Sequence, residues 1–183
     1  QLARLKAAGV NTIACVDLVA ASGGYMLASA ASSIVAAPFA YVGSIGVVAG
    51  APNVHKLLER GGIEYIERTA GQHKRTVNLF TPNTAEGLAK FEEEINEIHV
   101  AFKAHILHHR PALAEHIDAV STGEAWLAVQ AAEKGLVDIL CTSDQYLRSK
   151  RGAAEVWLLQ AKQPRKGGLL QALERATHAA QQA

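Results

Sequence analysis

The sequence has no apolar stretch approaching the roughly 20 residues that a membrane-spanning helix needs. Its longest apolar run, Ile34 to Pro52, is broken by Ser44, prolines and glycines. Two cysteines, Cys15 and Cys141, are too few for a disulfide framework and lack metal-site spacing, so they read as small core residues. An excess of one charge is missing too. With 18 Lys+Arg against 17 Asp+Glu the net charge is +1, without the clustered basic face of a nucleic-acid binder. There is no start methionine and no signal-peptide pattern. The chain opens on Gln1-Leu2-Ala3-Arg4-Leu5-Lys6, in mid-helix pattern, and reads as a soluble piece of a longer protein.

What is present is ordinary globular material: 183 residues, 49% apolar and 19% charged, enough for one domain with a sizeable core. Leu2 and Leu5 share a helix face that Gly9 ends. Thr12 to Val19 is a nearly continuous apolar run, the pattern of a strand buried on both faces of a parallel sheet. The small residues from Gly23 to Ala31 suit a helix packed behind it. Ser33–Ala37 and Tyr41–Val48 read as further strands, Val54–Arg60 as a short helix, and the alternating Ile63–Arg68 as a more exposed strand. Thr69 to Pro82 reads as a polar loop. Asn83-Thr84 caps a long helix with a stripe of Leu88, Phe91, Ile95, Ile98, Phe102 and Ile106, ending near Arg110 because Pro111 follows. Ser121-Thr122-Gly123-Glu124 has capping-box spacing and predicts a helix through Trp126, Leu127, Val129 and Ala132. Leu136–Leu140 reads as a short strand. Strands separated by helices imply right-handed crossovers and a layered α/β fold with a mostly parallel buried sheet flanked by helices. Residues 150–183 form a basic extension, with Leu169–Ala183 read as an amphipathic helix or a tail, and no internal repeat is visible.

The chemistry centres on Ser22-Gly23-Gly24, where an apolar run ends and a helix begins. One reading is a serine N-cap with glycines for close packing. The other is a nucleophile at a strand tip, with the N–H of Gly23 free to hold an oxyanion. A base is then needed. His73 lies in the polar loop. His55, His99, His105, His108 and His109 read as helix-surface histidines, with His116 and His178 near turns and tail, and His105 with His109 at i,i+4 is a faint metal hint. Lys74 is the other candidate. A free lysine, with a pKa near ~10.4, holds its proton at neutral pH, and only burial against apolar walls makes it a base. The plain reading of Lys74-Arg75 is a solvated pair of charges.

Several segments taken together, in order, resemble the signal peptide peptidase family, nearest to its SohB-like branch. They are Val19-Ala20-Ala21-Ser22-Gly23-Gly24-Tyr25, Ala37-Pro38, Val42-Gly43-Ser44-Ile45-Gly46-Val47, Thr69-Ala70-Gly71-Gln72-His73-Lys74-Arg75-Thr76, Thr122-Gly123-Glu124-Ala125-Trp126 and Glu133-Lys134-Gly135-Leu136-Val137-Asp138. The resemblance covers about Leu2 to Ser149 and implies a fold related to the Clp protease and crotonase. It implies a peptidase domain over 1–149, truncated at its N-terminus. It also implies a Ser-Lys dyad: Ser22 as nucleophile, Lys74 as general base, Ser44 positioning the lysine, and Gly23 lending an oxyanion donor. An apolar floor of Val42, Ile45 and Val47 is expected to desolvate Lys74.

The family's Ser-Pro-Gly-Gly segment, source of the second oxyanion donor, is expected upstream of Gln1, so the piece alone is expected to be weakly active. Arg75 stands where some relatives carry an acid and is given no role. By the same resemblance the substrates are signal peptides or misfolded envelope proteins, with small or apolar side chains beside the cut. The assembly is a ring-like homo-oligomer, and the parent protein is anchored in the bacterial inner membrane with its catalytic domain on the periplasmic side. No metal, nucleotide or other cofactor is implied. Two alternatives stand beside this: a Ser-His hydrolase using His73, and an inactive oligomeric scaffold or binding module.

Overall fold

The structure, a computed structural model, describes residues 1–159. The chain divides into two units, Gln1–Ser149 and Lys150–Ala183. In the second, a turn at 151–154 returns the N–H groups of Ala153 and Ala154 to the Lys150 carbonyl. The helix or tail expected over Leu169–Ala183 lies outside the described residues.

The first unit is a mixed α/β structure. Helix α1 (Leu2–Ala7) leads to β1 (Ile13–Val16) and β2 (Val19–Ala21). Helix α2 (Gly23–Ser29), β3 (Ser33–Ala36), β4 (Tyr41–Gly43) and α3 (His55–Arg60) follow. The long α4 (Ala85–His109) precedes a 3₁₀ turn at Pro111–Leu113, α5 (Ile117–Val120), β5 (Ala125–Leu127), α6 (Ala128–Glu133), β6 (Ile139–Leu140) and α7 (Ser143–Ser149). Two three-stranded sheets result, ordered β1-β3-β6 and β2-β4-β5. All strand pairs are parallel except β4 with β5.

The run Thr12–Val19, expected as one strand, is two. Asp17 turns out of the first sheet to accept hydrogen bonds from the N–H (2.8 Å) and the hydroxyl of Ser143. The chain therefore steps from sheet to sheet at Asp17-Leu18, and the Val16 and Leu18 carbonyls then accept from Ala37 and Tyr41. Those two acceptors keep the next strand pair, β3 and β4, stepping in the same place.

The helix expected to start at the Ser121–Glu124 box begins only at Ala128, and Ala125–Leu127 is strand instead. The backbone groups a helix there would use are taken: Ser44 N–H donates to the Glu124 carbonyl (2.7 Å) and Trp126 sits opposite Val42 in the β4–β5 register. Ile63–Arg68, expected as a strand, makes no ladder: it pairs with neither three-stranded sheet. Ile63 and Ile66 stay exposed. Of the α4 stripe only Phe102 and Ile106 are buried, while Leu88 and Ile98 are exposed. The C-terminal half of α4 thus packs on the core and its N-terminal half overhangs.

Tyr25, Ile34, Val35, Val42, Ile45, Ile106 and Leu136 are fully buried, and burial of each large aliphatic stabilises the unit by roughly 1.5–3 kcal/mol. One ion pair closes this core. Arg110, just past α4, donates twice to Asp138 (2.7 and 2.6 Å). The same carboxylate accepts the Ile34 N–H at 2.7 Å. Burial alone would raise the Asp138 pKa, but the guanidinium and the Ile34 N–H outweigh it and hold the carboxyl below its ordinary value. A carboxyl depressed by folding stabilises above its unfolded value, near ~3.9, and loses that contribution as pH falls through its folded value. Asp138→Asn is expected to cost about 1–3 kcal/mol at pH 7, by denaturant midpoint. The gap to wild type should narrow below about pH 4.

Candidate active site

Ser22 sits where β2 gives way to α2, with φ 52° and ψ −121°. Among the described residues only Ser22 and Ser44 adopt positive φ without being glycine. Such backbone costs on the order of 1–3 kcal/mol per residue and persists only where its surroundings impose it. Here the imposing bonds can be named: Ser22 N–H donates to the Gly43 carbonyl (2.8 Å), and Ser44 N–H donates to the Glu124 carbonyl (2.7 Å). Two serines adjoining the β2–β4–β5 ladder are thus locked in the same sheet.

The hydroxyl of Ser22 makes no capping bond to α2, although the residue occupies the N-cap position. That removes the plain reading of the serine as a helix cap. Gly23 opens the helix, so its N–H has no acceptor within the helix. Nothing lies within 4 Å of where a side chain at Gly23 would start, which leaves the space beside the serine open. Ser22, Gly23, Met26, Ser44, Gly46, Val47, Val48, Ile98, Phe102 and Gly123 line one cleft of about 480 Å³. Its walls are mostly apolar, with the two serines as its hydroxyl groups.

Of the expected floor, Val47 lines this cleft, whereas Val42 and Ile45 are fully buried in the core beneath it. The structure brings Ser22, Gly23 and Ser44 together and leaves Lys74 and His73 elsewhere. Lys74 is exposed, its backbone N–H donating to the Gly71 carbonyl (3.2 Å). It lines a separate depression with Tyr65, Glu67, Arg68, Thr69, Ala70 and Arg75. Desolvation of Lys74 by the Val42–Val47 segment is therefore not achieved within one chain. The loop's own bonds explain why. Glu67 pairs with Arg75 (3.1 Å) and accepts from Tyr65 (3.0 Å) and from the buried Asn78 (2.9 Å). Asn78 is itself fixed by Asn83 and Asn53. His73 is also exposed. The asparagines at 53, 78 and 83 were the sequence signal for this ordered loop, since such side chains take over backbone partners.

Two glycines, one lining the cleft and one next to Ser44, have no room for a side chain. Gly43 has φ +112°, and a Cβ there would meet the Trp126 ring at 2.9 Å. At Gly46 a Cβ would stand 2.7 Å from the Gly123 Cα, so the two backbones touch where a side chain would go. Gly46→Ala must part the segments that carry Ser44 and Gly123. A loss of about 1–3 kcal/mol is expected, read from the denaturant midpoint, and Gly43→Ala should cost more because its φ is unfavourable as well.

Comparisons with known proteins give the family of the chain. The model of peptidase family S49 matches residues 4–157. A Haemophilus influenzae protein named "Probable protease SohB" is 47% identical over 156 residues, 85% of this chain and 44% of that protein. A Buchnera aphidicola protein of the same name, from the Acyrthosiphon pisum subspecies, is 49% identical over 150 residues, 82% of this chain and 44% of its own length. The chain spans less than half the length of these relatives. With the family model matched across most of the chain and the strained serine at the mouth of a cleft, the chain belongs to peptidase family S49.

Proposed function

We propose that the protein is a serine endopeptidase working through a Ser22–Lys74 dyad on a layered fold of the Clp-protease and crotonase type. The observation that carries this reading is Ser22 itself: held at positive φ, its hydroxyl unused by the helix it precedes, opening on an apolar cleft. In the first step Ser22 Oγ attacks the scissile carbonyl carbon while Lys74 Nζ takes the hydroxyl proton. The Gly23 N–H faces the developing oxyanion. Lys74 then passes its proton to the leaving amine, and water releases the acyl group by the same route in reverse. Ser44, beside Ser22 in the cleft, holds the amine in place.

This chemistry requires Nζ within roughly 2.6–3.2 Å of Oγ and a lysine stripped of water. Within one chain Lys74 meets neither condition, and its loop is pinned by Glu67, Asn78 and Arg75. The reading therefore assigns the lysine to the cleft of a second copy, in a ring-like homo-oligomer whose contacts dehydrate it. The exposed apolar residues around this loop favour such contacts: Leu57, Ile63 and Ile66 are each 60% exposed or more.

Among the described residues no helix is long and apolar enough to cross a membrane. In this reading the parent protein is anchored in the bacterial inner membrane with this domain on the periplasmic side, and it cuts signal peptides or misfolded envelope proteins beside small or apolar side chains. The basic segment 150–183 is an extension of the 1–149 peptidase domain.

Ser22→Ala and Lys74→Ala in the full-length protein should each lose on the order of 10³-fold or more in kcat. Mixing the two inactive variants and reassembling them should recover part of the activity, because some clefts then combine an intact serine with an intact lysine. Retained turnover in either single variant sinks the dyad. A Lys74→Ala variant that turns over while His73→Ala does not would hand the base role to His73. Mixtures that stay dead refute the shared cleft.

A further inference from the structure

The cleft has two walls on different helices, α2 behind Ser22 and α4 with Ile98 and Phe102, and one polar side chain ties them together. His105, half-buried on α4, places Nε2 3.0 Å from the Met26 carbonyl of α2. A carbonyl oxygen only accepts, so Nε2 carries the hydrogen. The same oxygen accepts from the fully buried Ser29 hydroxyl at 2.9 Å. Carbonyls in a helix's last turn have no partner within the helix, and α2 has no basic residue in its own last turn. The imidazole of α4 adds a second donor to that carbonyl, beside the Ser29 hydroxyl, at the negative end of the helix.

The bond matters because of what lies one residue's backbone away. Met26 N–H donates to the Ser22 carbonyl at 2.9 Å. Two hydrogen bonds through one residue therefore join His105 to the residue in the strained turn. Met26 lines the cleft as well, facing the α4 residues Phe102 and Ile98 that lie about one and two turns before His105. The His109 ring packs on His105 with centroids 4.7 Å apart, and His108 packs on His109 at 4.8 Å. This stack fixes the imidazole rather than building a metal centre: among the described residues no group of three ligands is placed to hold an ion.

We propose that His105 is a positioning residue of the acyl-transfer site, holding α2 against α4 so that the Ser22 turn keeps its geometry. The proposal rests on the reading of Ser22 as the nucleophile. In the full-length protein, His105→Leu fills the space without donating, His105→Gln offers an amide N–H at the same reach, and His105→Asn offers one a bond too short. His105→Leu and His105→Asn are expected to lower kcat on the order of tenfold, with a smaller change in KM. They should also speed amide hydrogen exchange at Met26, while His105→Gln restores both. Wild-type kcat and wild-type exchange in His105→Leu overturn the proposal, as does a Gln variant no better than Leu. Ser22→Ala run alongside keeps the two ideas apart. If it retains activity the nucleophile reading falls, and the exchange comparison still decides whether His105 holds the turn.

Discussion

The hydrogen bond from Ser22 N–H to the Gly43 carbonyl, at 2.8 Å, is the constraint from which the site follows. It continues the β2–β4 ladder one residue past its last pair, Ala21 with Gly43, and so holds Ser22 at the strand tip while the chain has already turned into a helix. Sheet geometry on one side and helix geometry on the other leave Ser22 no relaxed conformation, hence its φ of 52°. Gly43 serves both neighbours at once: its carbonyl holds Ser22, and its missing side chain lets Trp126 pack at van der Waals distance. Ser44, next along, is turned the same way by its bond to Glu124. The corner that carries Ser22 and Ser44 is therefore backbone built, and side chains are added to a frame that ladder bonds already fix.

That frame is kept in place from behind. Tyr25, three residues past Ser22, is fully buried and donates to the Leu136 carbonyl at 3.1 Å. Burial pushes its phenol far above the ordinary value, so it stays a neutral donor at every physiological pH. Leu136 in turn belongs to the segment clamped by Arg110 and Asp138, which also pins the Ile34 amide. Core packing, ion pair and strained turn thus form one continuous support running from α4 through β6 and β3 to α2.

Much of this was legible in the sequence because the signals were local. Continuous apolar runs marked β1, β3 and β4, Pro111 marked the end of α4, and Ser22, Gly23 and Ser44 were singled out and share one cleft. What failed was what depends on neighbours. The Trp126 segment has helical spacing but is strand, because β4 offers its backbone a partner that the pattern cannot display. Ile63–Arg68 has strand alternation but no ladder, because alternation states a preference and pairing depends on where the rest of the chain brings the segment. The step at Asp17 was hidden inside an apolar run, since the acceptor role of its carboxylate depends on Ser143, 126 positions away. His105 was read as a helix-surface histidine for the same reason: its partner is a backbone carbonyl, which leaves no trace in residue identity.

The separation of Lys74 from Ser22 has a consequence for how such a site is kept safe. A chain that carries a strained serine beside an apolar cleft would be a hazard if its base were always in place. On the proposed reading the exposed lysine is covered only when a second copy meets it, because desolvation makes a lysine a base. The two requirements of the dyad, proximity and dryness, are then met by the same event of subunit contact. That coupling asks the Glu67-centred loop to be rigid before assembly, so that little ordering cost is left to offset when the copies meet. The bonds from Glu67 to Arg75, Tyr65 and Asn78 provide that rigidity in the single chain. Arg75, the residue with no assigned role in the sequence, is one of the partners of Glu67 that order this loop.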